Sequence, residues 1–291
     1  MTRTPLHASP CRFTCLRTLL AACLAVSLPG RAQQAAPLPD NRHTTHATLF
    51  GAGRSSLYET YLSPLTYTGP HLSVLHETLR KTHWLDGRIT TQGVFDGFFC
   101  LASNPAGNAD EMGGKLNYAH GWHYNWTVGH GLRLMAGAEI HTGIGAIYNN
   151  RNSNNPVQAK AELDLGATVM AIYPFRIRKT PFTARYQASL PLLGAMFSPR
   201  YGQSYYEMSL GNYDRNVCFT HPGNAPSMRH FLTLDFPIAG FTFRAGYLCD
   251  IRQSRVNGLR SHIWNHSFMI GYVKHFSFVK RKEPQHLPFI L

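Results

Sequence analysis

His262 and His266 stand four residues apart near the end of a 291-residue chain that holds sixteen histidines. Four positions apart on a strand is about 13 Å, too far for two side chains to share one ion, so this pair makes no chelate and no metal site is expected. His141 has Glu139 two residues before it and Asp164 further along, the residue types of an acid/base cluster. The competing reading makes that histidine a hydrogen-bonded partner in a network of paired charges. Ser267 beside His266 forms no nucleophilic dyad, because neighbours on a strand point to opposite faces. The chain has no nucleophile elbow, phosphate-binding glycine loop, HExxH helix or paired CxxC. No catalytic residue and no cofactor is expected.

The elements that must place these groups are strands. Only 15% of the residues are charged, against about 25% in an ordinary soluble domain, while 44% are hydrophobic. No apolar run of about 18 residues occurs beyond the N-terminus, which excludes a helical membrane bundle. From Met112 to Val128 the even positions are apolar or aromatic and the odd positions polar or small. The same period of two runs along residues 132–148, 161–173, 182–192, 232–236 and 241–252. Strands of this length exceed the five or six residues usual in soluble folds and reach the roughly 9 to 11 that span a bilayer. Links alternate between short, as at Asp86-Gly87 and Gly129-His130-Gly131, and long, as at residues 103–110, 149–156, 197–227 and 254–260.

The expected fold is therefore all-β: an antiparallel transmembrane β-barrel of about ten strands, with eight and twelve as the neighbouring even counts. Nine strands fall near residues 70–83, 88–101, 112–127, 131–148, 159–173, 181–195, 228–237, 241–253 and 260–278. Residues 44–53 supply the tenth, with 204–212 the weaker candidate.

Projection inward gives a polar network of Lys115, Arg133, Glu139, His141, Glu162, Asp164, Arg185, Asp235, Arg244, Asp250 and Arg252. A ten-stranded barrel is largely filled by side chains, so this network reads as a salt-bridged plug rather than the wall of a wide pore. Trp122, Tyr124, Trp126, Tyr148, Tyr173, Phe241, Phe243, Trp264, Tyr272 and Phe276 fall near strand ends, where interfacial girdles belong.

The first 32 residues read as an address. Arg3, Arg12 and Arg17 precede the apolar run from Thr18 to Leu28, and Pro29-Gly30-Arg31-Ala32 supplies a helix break and small residues, so a signal peptide is cut after Ala32. Leu20-Ala21-Ala22-Cys23 also resembles a lipobox, the second reading. Cleavage after Ala32 removes four arginines and no acid, which lowers the net charge from +13 to +9. The domain plan is thus 1–32 signal peptide, 33–43 periplasmic segment, 44–279 one barrel domain and 280–291 tail. Cys100, Cys218 and Cys249 remain; Cys218 and Cys249 could pair and staple the longest loop, but spacing alone establishes no disulfide and two free thiols is the preferred reading. Basic clusters at residues 176–179 and 280–282 suit anionic headgroups at a membrane edge better than nucleic acid. Expected partners are outer-membrane lipid and the outer-membrane assembly machinery, for which Gly271 followed by Phe276 partly matches an insertion signal; Lys274 departs from it.

The segment Tyr58-Glu59-Thr60-Tyr61-Leu62-Ser63-Pro64-Leu65-Thr66-Tyr67-Thr68-Gly69, followed by strands rich in glycine and aromatics, resembles a family of uncharacterised exported proteins of Bacteroidetes-type Gram-negative bacteria, a domain of unknown function. The likeness covers about residues 55–278. It implies the outer membrane of a Gram-negative bacterium and offers no catalytic or binding residues. The expected function is a small barrel with a filled lumen and a structural or surface-interaction role. The alternatives are a narrow porin or transporter and, behind it, an outer-membrane enzyme acting on lipid or protein.

Overall fold

A computed structural model describes residues 42–278 other than 214. The chain divides after Asp40, and everything before that point, the expected signal peptide included, lies outside the described residues, as does the tail 280–291.

The long strands come in chain order: β1 (Arg42–Glu59), β2 (Thr66–Lys81), β3 (Ile89–Ser103), β4 (Asp110–Thr127), β5 (Arg133–Asn149), β6 (Val157–Ile177) and β7 (Thr180–Phe197). A short helix α1 (Tyr205–Ser209) and a four-residue strand β8 (Val217–Thr220) follow, then β9 (Met228–Ile238), β10 (Phe241–Val256) and β11 (Leu259–Phe278). Each long strand pairs antiparallel with the next long strand, and β1 pairs with β11 along its whole length, so the sheet closes. The fold is a closed antiparallel ten-stranded β-barrel. β8 adds a short piece against the far end of β7.

Closure fixes the geometry. Walking across the register from Trp126 of β4 through Leu134, Ala171, Tyr186, Leu232, Tyr247, Phe268, Ala52, Leu72 and Phe99 returns to β4 at Gly114, twelve residues from the start. A shear of that size on ten strands tilts them about 40° from the axis and gives a radius of about 10 Å, an interior that side chains can fill. Alternation decides the faces: on β4, Lys115, Asn117 and His123 are buried while Leu116 and Tyr118 are exposed.

The strand nearest the N-terminus begins close to residue 44 as expected but runs on to Glu59. Residues 204–212 are not a strand, because Ser204 and Glu207 form a reciprocal cap that starts α1. The long link expected at 254–260 is instead a two-residue turn, Asn257-Gly258, with both φ positive (52° and 78°), a geometry that matches the twist of the flanking strands. On β7 the alternation breaks at Leu192. Leu165 of β6 faces Leu193 and Gly166 faces Pro191, so Leu192 is an extra residue and Leu193 takes over the outward position.

The interior is layered. At the long-loop end lies an apolar cluster of Leu57, Leu62, Tyr67, Cys100, Ala102, Ala109, Ile147 and Ile263. Nearer the short-turn end sit Ala47, Leu49, Leu75, Phe231, Leu248, Met269 and Val273, and beside them Met135, Met170 and Ile172. Charges occupy the space between.

Candidate functional site

Glu77 is the hub nearer the short turns. Arg185 donates to both of its oxygens, one bond at 2.6 Å, Arg244 donates from Nη1 at 2.7 Å, and Gln92 donates at 2.5 Å. Arg244 also grips Asp235 through Nε (2.6 Å) and Nη2 (2.8 Å), the forked geometry that guanidinium and carboxylate share. Gln187 joins this group to Gln92, Arg185 and Thr168. Ser189 bonds Thr168 and, at 3.0 Å, Glu139.

The second hub lies nearer the long loops. Lys115 Nζ is 2.5 Å from Glu162, and Arg252 reaches Glu162, Asp164 and Asp250, each at 3.3 Å. Arg229 bonds Asp96 at 2.7 Å, and Asn117 donates to the same carboxylate. Above them Lys160 pairs with Glu59 and donates to Ser261.

Of the neighbours that the sequence pointed to, Asp164 lies beside His141, in company with Glu162 and Arg252. The His141 Nε2 lies 3.1 Å from Arg252 Nη2, and a guanidinium can only donate, so Nε2 accepts. The proton is thereby assigned to Nδ1, which faces Asp164 at 3.4 Å and Glu162 at 3.6 Å. His141, Glu162 and Asp164 offer ligand atoms within 4.8 Å of one another, a donor set for a divalent ion. Lys115 and Arg252 already occupy those carboxylates, so the cation places are taken.

Of the residues projected inward, Lys115, Glu162, Asp164, Arg185, Asp235, Arg244, Asp250 and Arg252 are joined by ion pairs. Glu139 is buried and accepts a hydrogen bond from Ser189. Arg133 is exposed at the first residue of β5, on the inward face opposite the buried Ile172 but at the short-turn rim, away from the two hubs. Sequence reading missed Glu59, Glu77, Asp96, Lys160 and Arg229. Glu77 was hidden by its neighbours: Leu75 and Leu79 share its face, which apolar-out alternation would turn toward lipid, whereas Leu75 and Glu77 are both buried inside.

The two cysteines do not pair. Cys218 and Cys249 are free, and they belong to opposite faces: Cys218 sits opposite the inward Met196, whereas Cys249 sits opposite the outward His230 and His266.

Aromatics ring the outside at both ends. Trp126, Tyr173, Phe241 and Tyr272 are exposed near the short turns, with Trp122, Tyr124 and Phe243 half-buried beside them; Tyr148 and Trp264 are exposed near the long loops. Tyr173, Phe175 and Phe182 stack across β6 and β7. Phe276 pairs in register with Thr44, and its side chain lies outside the described residues. The long loops are tied to one another by polar contacts: Tyr61 donates to the Gln203 carbonyl (2.9 Å), Asn152 to that of Leu62 (3.2 Å), and Asn257 to the carbonyls of Ser198 and Arg215. Burial, followed by the nearby Tyr205, Glu207 and Glu59, pushes the Tyr61 hydroxyl up to about 12.

A family model described as protein of unknown function (DUF3316) matches residues 15–283. No curated protein matches the sequence. Among solved structures, the chain is similar to the transport unit of the autotransporter AIDA-I from Escherichia coli (7% identity, TM-score 0.39, covering 88% of this chain and 97% of that one). It is similar also to the translocator domain of the autotransporter NalP from Neisseria meningitidis (11%, 0.38, 89% and 94%). A third is the COG4313 outer membrane channel from Pseudomonas putida F1 (12%, 0.36, 86% and 100%).

Proposed function

Because this chain belongs to the DUF3316 family, described only as of unknown function, we propose its role from the barrel itself: a small outer-membrane protein with a closed lumen, serving a structural or surface-interaction role. The exterior supports a membrane setting. Between the aromatic ends the outward positions are largely apolar, among them Ile140, Ile144, Leu163, Leu165, Val169 and Ile270, a face that water would penalise and lipid accepts. Export through a signal peptide cut after Ala32, insertion by the outer-membrane assembly machinery and contact with anionic lipid at the exposed Arg178-Lys179 turn belong to the same reading.

One observation carries the closed-lumen reading. Two charge hubs, two apolar layers and a tied loop cap succeed one another along the axis, and buried charges of this kind are held by their partners rather than by water. A narrow conduit is the second reading, favoured by two small cavities that both touch Arg252. Planar-bilayer recording of the refolded chain, after heat-modifiable migration has verified folding, separates them. A folded, silent protein is the expected result; discrete and reproducible steps would establish the conduit.

A further inference from the structure

The barrel wall has an interrupted seam. On its side facing β8 and β9, β7 pairs with β9 from Thr183 to Ser189 and with β8 from Gly194 to Phe197, so Leu190 to Leu193 have no strand partner there. Pro191 has no N–H to offer, and the extra residue Leu192 bends the strand at this point. The loop 221–227 runs opposite, but its bonds go to β10 or to itself: Arg255 N to the Asn224 carbonyl, Gln253 N to Ser227, and Ala225 N to the His221 carbonyl.

A narrow cavity with about 40 Å³ of room for water-sized groups, enough for a head group and not for a whole chain, lies at this break. It touches groups that an intact wall would keep apart: Lys115, Lys160 and Arg252 from the lumen, and Leu193 from the outer face, where it is 51% exposed beside Leu165. One polar group inside has nothing to bond. Thr220 is 5% exposed, its hydroxyl has no partner, and it lines the cavity. Gly194 makes the approach possible, because a Cβ there would meet Asp164 and the Thr220 hydroxyl at once.

Resting on the outer-membrane reading above, we propose that this break is a lateral entrance from the membrane, and that the cavity binds a single-chain amphiphile with a carboxylate head. The lip of Leu190, Leu192 and Leu193 holds the chain at the level of the surrounding lipid. Inside, among the described residues, the donors left over are the Thr220 hydroxyl, N–H groups of Lys115 and one N–H on Arg252 Nη2, which call for an acceptor. The lining cations are largely matched by Glu162 and Asp164, which suits one negative charge better than a phosphate's two.

The test titrates the refolded chain, in non-ionic micelles, with cis-parinaric acid, a fluorescent long-chain carboxylate, and reads energy transfer from its four tryptophans. Saturable binding is expected, weakened about ten-fold by Thr220→Val, which deletes one charge-assisted bond without changing shape. Ala225→Trp, which fills the break, is expected to weaken binding at least as much, and the methyl ester of the same acid to bind as poorly as the variants. Non-saturating transfer, equal binding by both variants, or an ester as tight as the acid would overturn the proposal. If Ala225→Trp fails to fold, the near-isosteric Thr220→Val decides. Heat-modifiable migration of the parent is scored separately, so failure of the barrel reading shows there and not in the titration.

Discussion

Glu77 holds two arginines that have no other route to neutrality except through Asp235, which serves Arg244 alone. Removing its charge leaves Arg185 buried and uncompensated. Glu77→Ala is therefore expected to cost about 3 to 5 kcal/mol, read as a lowered urea midpoint of the heat-modifiable fold. Gln187 tests the same physics from the other side. It is an inward polar residue at which a simple inside/outside rule would admit arginine, yet it is buried and accepts a bond from Arg185 at 2.7 Å. Gln187→Arg would set a second guanidinium beside the first, with the Glu77 oxygens already taken and Glu139, which lines the same cavity, left to meet it. A smaller midpoint drop than that of Glu77→Ala is expected; an unchanged midpoint would show the lumen to be wetter than its packing implies.

Position along a strand matters as much as face. Val169 and Leu134 both point outward, but Leu134 is the second residue of β5 and the register neighbour of Trp126 in the girdle, whereas Val169 lies further into β6. Val169→Arg is expected to cost about 2 to 4 kcal/mol and Leu134→Arg about 0 to 1, measured by reversible folding into vesicles. Equal costs would mean that the apolar band is placed wrongly along the axis. Some inward positions must be glycine for the strands to coil: a Cβ at Gly137 would collide with the Trp122 carbonyl of β4. Gly137→Ala should lower the folding yield although it adds only one methyl, since backbone rather than a flexible side chain stands in the way.

For the molecule as a whole, closure decides what the charges mean. An even strand number returns both ends of the barrel to the short-turn side, where Arg42 pairs with Phe278, and leaves the long loops together at the other mouth. On the closed-lumen reading proposed above, those loops and the two hubs fill the axis, and the refolded protein is expected to be silent in a bilayer. The break beside β7 lies in the wall and not along the bore, so an axial plug would leave it open.

Strand number, the two faces and the aromatic ends were legible in the sequence, because a period of two records which side of the wall each residue occupies, and Lys115, Arg185 and Arg252 fell on the correct side by that rule alone. The pairing of those charges was not. Partners such as Glu77 with Arg185, or Arg252 with Asp164, are 108 and 88 residues apart, and only the shear of the closed barrel brings them together. The free state of Cys218 and Cys249, the outlying place of Arg133 and the open seam at Leu190 to Leu193 were likewise decided by tertiary structure: each depends on where a neighbouring strand ends or slips by one residue, and that is set by contacts across the sheet rather than by local pattern.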